Sequence, residues 1–178
     1  MSSAQELQEQ GVKLFQQKEY EAAARTFAQA SEQYESDGQA SLAAEMQVNL
    51  GLVHRSLGEH QQALDLMQAA LHTFEGAGDR LHTAMTLGNI GGVYAALGDK
   101  EQAYNCYRNA ADLFDELGEK KLHGETLVAM ASLQVRDGKL SAGAATYEVG
   151  LSELDSLSGS QRVLKGLIGI RNKLFGSK

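Results

Sequence analysis

The chain has 178 residues, 43% of them hydrophobic, carries a formal net charge of −7 and contains no proline or tryptophan. That length and apolar content suffice for one domain with a buried core, while the acidic balance argues against nucleic-acid binding, which relies on Lys and Arg to neutralise phosphates. The single cysteine, Cys106, excludes an internal disulfide framework and makes a reducing, cytoplasmic setting the default. No apolar run is long enough to span a bilayer and the N-terminus has no basic-then-apolar signal, so no integral membrane segment is expected.

The first helix is expected from about Ala4 to Gln17, with Leu7, Gly11, Leu14 and Phe15 at three-to-four-residue spacing on or near one face. Lys18 and Glu19 turn the chain into a second helix, Tyr20 to about Glu35. Its Ala23, Phe27, Ala30 and Tyr34 alternate small and large, which lets it pack closely on the first. Asp37-Gly38 ends it, because glycine takes the left-handed geometry that helix C-termini often need.

The pair then returns with a period of forty residues. Ala40 to Leu57 and His60 to Glu75 form the second hairpin, with Ala63, Met67, Ala70 and Phe74 in the places of Ala23, Phe27, Ala30 and Tyr34. Arg80 to Leu97 and Lys100 to Glu116 form the third, carrying Ala103, Tyr107, Ala110 and Phe114, and Asp99 followed by Gln102 reads as a capping box at the helix start. The fourth, Lys121 to Asp137 and Leu140 to Asp155, keeps the spacing with Gly143, Tyr147, Gly150 and Leu154, but two alanines have become glycine, so it is expected to be the loosest. Turn glycines keep the same count: Gly38, Gly78 and Gly118 fall forty apart, as do Gly58, Gly98 and Gly138. Self-similarity at a fixed period marks a stack of repeated units.

A Ser/Gly linker, Ser156 to Ser160, leads to a last helix from about Gln161 to Phe175. Val163, Leu167, Ile170 and Leu174 form its apolar stripe, widened by Leu164, Ile168 and Phe175. Stacked repeats leave an apolar end that some element must cover, so a capping helix is the preferred reading. Residues 161 to 178 carry +5 with no acidic side chain, against −12 for residues 1 to 160. A basic amphipathic helix can also meet an anionic membrane, an acidic partner or the acidic body of its own chain.

Two antiparallel helices per unit, with Gly in the first, Gly at the turn, then Ala, a large residue and Ala in the second, resemble the tetratricopeptide repeat (TPR) over about residues 4 to 155. The fold this implies is all-α, a right-handed superhelix of four hairpins plus the capping helix, making a single domain with units at about 4–37, 40–77, 80–117 and 121–155. The usual period is 34 with a proline near the unit's end, whereas here it is forty without proline. Phe74, Gly78, Asp79, Arg80, Ala84, Asn89 and Gly91 make this unit similar to the forty-residue repeats of cell-polarity and spindle-orientation adaptors, and more distantly of kinesin light chains.

The resemblance implies a concave groove lined by the first helix of each pair, which takes an extended or helical segment of a partner protein. By alignment its candidates are Gln5, Gln8, Glu9, Val12 and Phe15; then Glu45, Val48, Asn49, Leu52 and Arg55; then Met85, Gly88, Asn89, Gly92 and Ala96; and Glu125, Val128, Ala129, Ser132 and Arg136. Asn49 and Asn89 lie one repeat apart, and an amide that both donates and accepts can hold a peptide backbone; the alternative is that they hydrogen-bond neighbouring helices. Val12, Val48, Leu52 and Met85 are either ligand-facing or inter-repeat core. Gly88, Gly92 and Ala96 leave the centre of the groove with little bulk.

Chaperone-binding relatives clamp a C-terminal carboxylate with Lys and Asn side chains, and here those places fall on Gln8, Val12, Asn49, Met85 and Asn89. Every cation is gone, and a carboxylate needs charge-assisted donors, so the tails of Hsp70 and Hsp90 are excluded as ligands. No Gly-x-Ser-x-Gly elbow, phosphate loop or His-Glu-x-x-His is present, the five histidines are scattered, and Gly88 to Gly92 sits inside a helix as a packing feature. Cys106 reads as a small packing residue. The expectation is a cytoplasmic, non-catalytic protein-binding scaffold or adaptor without cofactor or metal. Its alternative is a self-associating structural protein that uses the basic C-terminal helix or the terminal repeat.

Overall fold

The computed structural model describes residues 3–154 and, beyond them, residues 159, 161–163, 165, 166, 168 and 169. Eight helices follow one another: α1 (Ala4–Gln16), α2 (Tyr20–Ser36), α3 (Ala40–Leu57), α4 (His60–Ala77), α5 (Arg80–Leu97), α6 (Lys100–Leu117), α7 (Lys120–Arg136) and α8 (Leu140–Ser152). The described residues from 159 onward are helical too. No described helix is long and apolar enough to cross a membrane.

Local chemistry sets the helix ends. Ser3 and Glu6 form a reciprocal capping box on α1, a feature the forty-residue register does not reveal. At α6 only half of the expected box is present. The Asp99 carboxylate accepts from the Gln102 amide at 3.1 Å, but the Asp99 N–H is spent on the Tyr94 carbonyl at 3.0 Å, closing α5. Gly58 and Gly98 make the turns within the second and third hairpins at φ 81° and 83°, where only glycine is free of strain. Lys18 makes the same turn in the first hairpin at φ 64° without that freedom.

Each helix packs on the next, and the small-large stripes are the core. Ala23, Phe27, Ala30, Ala63, Met67, Ala70, Phe74, Ala103, Ala110 and Phe114 are all buried. Small residues on the first helices complete the fit: a Cβ on Gly11 would lie 2.7 Å from the Phe27 ring, on Gly51 2.9 Å from Met67 and on Gly91 2.9 Å from the Tyr107 ring. These interlocks let the helix axes approach closely and bury the large side chain against bare backbone.

The fourth hairpin corrects an expectation. Its glycines tighten it: Gly124 and Gly150 face each other so closely that a Cβ on either would fall 2.7 or 2.8 Å from the other's carbonyl, and one on Gly143 would meet Val135 at 2.7 Å. Losing an alanine methyl here means backbone touching backbone. The helix α8 is shorter than expected, stopping at Ser152 with Glu153 as its C-cap.

Of the expected linker only Gly159 is described, and it is already helical. Along the expected capping helix, Ile168 is buried at 6% exposure and faces Val135, Ala144 and Tyr147 of the fourth hairpin, which is what a cap requires. Val163, placed on the apolar stripe by spacing, is instead 65% exposed. Leu164, Leu167, Ile170, Leu174 and Phe175 lie outside the described residues.

Curvature follows from which helices meet. Beyond the sequential contacts, α3 touches α5 and α5 touches α7, while the second helices of successive pairs show no comparable approach among the described residues. In a bent stack the closer rows lie inside, so α1, α3, α5 and α7 form the concave wall and α2, α4, α6 and α8 the outer one.

Candidate functional site

The concave wall is a grid of rows forty residues apart. Near the start of the inner helices stand Gln5, Glu45, Met85 and Glu125; one turn further come Glu9, Asn49, Asn89 and Ala129; then Val12, Leu52, Gly92 and Ser132. Close to the helix ends are Arg55 and, one residue beyond its row, Arg136. Acid therefore lies toward the helix N-termini and cation toward the C-termini, the arrangement that helix dipoles favour.

Two hollows open in this wall. One, of about 220 Å³, lies between the third and fourth hairpins and is bordered by Met85, Gly88, Asn89, Leu122, Glu125 and Ala129, with Tyr107 and Phe114 as its floor. The other, of about 500 Å³, is bordered by Gln5, Gln8, Glu9, Val12, Tyr34 and Leu42 at the first hairpin. Val12 and Met85 are 40% and 41% exposed, too open for core side chains. Val48 and Leu52 are half-buried and pack on the buried clusters around Phe74 and Met67, so they serve the core as well as the wall. Val128 is half-buried in the corresponding place of α7.

The polar candidates divide by whether their hydrogen bonds are already spent. Gln8 accepts from the Tyr34 hydroxyl at 2.8 Å. Ser132 donates to the Val128 carbonyl at 2.9 Å and accepts from the Tyr147 hydroxyl at 2.6 Å. Asn49 and Asn89 are half-buried and make no side-chain hydrogen bond among the described residues. Both keep donor and acceptor for a ligand.

The three glycines of the α5 wall serve different ends, where the sequence suggested one. Gly91 packs on Tyr107, Gly88 faces open space, and Gly92 lies under the guanidinium of Arg55, whose Nη1 is 2.8 Å from where its Cβ would be. Arg55 thus crosses from the second unit to the third and places its guanidinium over the bare backbone of Gly92. Burial pushes the Tyr107 phenol above its ordinary pKa, against the opposing pull of Arg55 and Arg136. No sequence argument pointed to Tyr107 as a wall residue; the signal that could have done so is the forty-residue offset pairing Tyr107 with Tyr147 and Gly92 with Ser132.

Three of the five histidines pair with carboxylates: His54 bonds Glu59 at 2.5 Å, His82 bonds Asp79 at 2.7 Å and stacks on Phe74, and His123 reaches Glu153 at 2.6 Å. No group of three metal-capable side chains occurs among the described residues. Burial pushes the half-buried Cys106 thiol up, away from the reactive thiolate. A further cavity, of about 450 Å³, lies outside the groove between α6 and the α7–α8 turn, where Lys100 and Lys139 both bond Asp137 and hold its carboxyl down at about 2.

Comparisons agree with this architecture. A tetratricopeptide-repeat family model matches residues 41–116. No curated protein matches the sequence. Among solved structures, the chain is similar to the apo form of RapI (16% identity, TM-score 0.79), covering 99% of this chain and 48% of that one. It is also similar to a tetratricopeptide repeat protein from Parabacteroides merdae (21% identity, TM-score 0.62), covering 97% and 60%. BtubC from P. vanneervenii aligns at 15% identity and TM-score 0.65, covering 89% and 61%. The chain therefore spans about half to three-fifths the length of these structures. Residues 41–116 thus match the tetratricopeptide repeat, and the hairpins on either side continue the same stacked helix-pair fold.

Proposed function

We propose that the protein is a non-catalytic, cytoplasmic interaction scaffold, acting as one domain, that holds a segment of a partner protein along its concave wall. The observation that carries this reading is the pair Asn49 and Asn89: half-buried, one repeat apart, and with both amides unspent among the described residues. Amides repeated at the spacing of the stack suit the regular backbone of an extended or helical ligand, while exposed Val12 and Met85 offer apolar contact on the same wall. Enzymatic chemistry, nucleic-acid binding and capture of chaperone tails are not part of the proposal.

The test is capture from a lysate of the source organism by tagged wild type and by the Asn49→Ala/Asn89→Ala double variant, with matched folding checked by circular dichroism. A protein retained by wild type and lost by the folded variant supports the groove; identical retention by both removes it. Self-association is the second reading, favoured by Val135, Leu140, Val149 and Val163, exposed apolar side chains that gather toward the C-terminal end of the stack. A mass that rises with concentration supports that reading, and a constant monomer mass contradicts it.

A further inference from the structure

The third and fourth units present the same pair of positions with different chemistry. In the fourth, the Tyr147 hydroxyl reaches the inner wall and is satisfied by Ser132 at 2.6 Å. In the third, Tyr107 stands in Tyr147's place and Gly92 in that of Ser132. Tyr107 is 7% exposed, and its hydroxyl lies 3.6 Å from where a Gly92 Cβ would be, yet no hydrogen bond to it is found among the described residues. The space that a serine would fill is bordered by the Arg55 guanidinium, whose Nη1 lies 2.8 Å from where a Gly92 Cβ would be. Among the described residues Arg55 has no carboxylate partner, although the chain is acidic overall.

The Tyr107 hydroxyl and the Arg55 guanidinium meet over the bare backbone of Gly92, neither paired among the described residues, and together they suit an acceptor that carries negative charge. We propose that this gap receives a carboxylate side chain of the bound partner, which accepts from the Tyr107 hydroxyl and from Arg55 in the place that Ser132 occupies in the fourth unit. The inference rests on the groove reading above and adds to it the partner's chemistry: an Asp or Glu that falls at the third unit. A carboxylate fits better than a neutral amide because it accepts at two oxygens and neutralises a guanidinium.

The test uses the full chain and a phage-displayed library of random peptides of roughly twenty residues, long enough for a helix of about 30 Å. Selected peptides are resynthesised and their affinities measured for wild type, Asn49→Ala/Asn89→Ala, Arg55→Gln and Gly92→Ser. The expected result is one recurrent Asp or Glu. Its replacement by Asn or Gln should weaken binding to wild type by roughly ten- to one-hundred-fold, with little further effect on Arg55→Gln. Gly92→Ser is expected to bind as weakly as the neutralised peptide while melting at or above wild type, because the serine hydroxyl satisfies Tyr107 as Ser132 satisfies Tyr147. That rise separates a filled site from a damaged fold. Peptides that depend on Asn49 and Asn89 but carry no recurrent acid, or that bind Gly92→Ser unchanged, overturn this inference and leave the groove reading standing. Peptides indifferent to the asparagines overturn both.

Discussion

Replacing Gly91 by leucine tests the interlock between the two rows of helices. A Cβ at Gly91 would lie 2.9 and 3.0 Å from Cδ1 and Cε1 of Tyr107 and 3.3 Å from Cβ of Cys106, and leucine adds three further carbons toward the same wall. The ring cannot swing clear, because Tyr107 is packed among Ala103, Leu133 and their neighbours. Overpacking a core costs about 1–3 kcal/mol, and three carbons against a fixed ring belong at the upper end. Removing glycine from a helix interior returns about 1 kcal/mol. The net loss is then roughly 2 kcal/mol, which for a chain of this size lowers the melting temperature by about 4–8 °C. Gly88→Ala is the control on the same helix: its Cβ would meet nothing within 4 Å, so only the helix-propensity gain remains. Thermal melts by circular dichroism read both, and hydrogen exchange localises the leucine effect to α5 and α6, since a repeat stack loses stability unit by unit. An unchanged or higher melting temperature for Gly91→Leu, or an equal loss for Gly88→Ala, would refute the interlock.

Other consequences follow from single groups. Lys18→Gly is expected to stabilise the chain by about 0.5–1 kcal/mol in a melt, because the left-handed conformation costs a non-glycine residue about 1–2 kcal/mol and glycine's greater unfolded-state freedom offsets part of the relief. Ser132→Ala leaves the Tyr147 hydroxyl without its partner at 2.6 Å and is expected to cost about 1 kcal/mol, an effect that Tyr147→Phe in the same protein should largely cancel. Asp137, held at about 2 by Lys100 and Lys139, contributes stability that is complete above the unfolded carboxyl value of about 3.9 and is lost as pH falls toward 2. Asp137→Asn should therefore be less stable than wild type near neutrality and converge on it below about pH 2, while a carboxyl resonance that titrates near 4 contradicts the pairing.

The sequence made the fold legible because its punctuation is conformational. Gly58 and Gly98 occupy left-handed turns and Ala23, Ala63 and Ala103 are buried close contacts, so their forty-residue spacing encodes helix ends and core together. Gly143 and Gly150 misled for a related reason: a missing methyl can weaken packing or admit a backbone, and only the partner's position, here Gly124 and Val135, decides which. Register alone puts Asn49 and Asn89 at corresponding turns of α3 and α5. Arg55 over Gly92 was not readable in this way, since a long side chain that crosses between repeats leaves no periodic trace along its own helix. Val163 shows the same limit at the C-terminal end, where helical spacing gives a stripe but not which flank of it meets the stack.

The central claim, that the concave wall is where a partner protein lies, is tested most directly by site-specific photo-crosslinking in living cells. A photoreactive phenylalanine replaces either Met85 on the exposed inner wall or Asp112 on the exposed surface of the outer helix α6. The account expects an adduct with another protein from position 85 and none from position 112. An adduct from position 112 alone would contradict it.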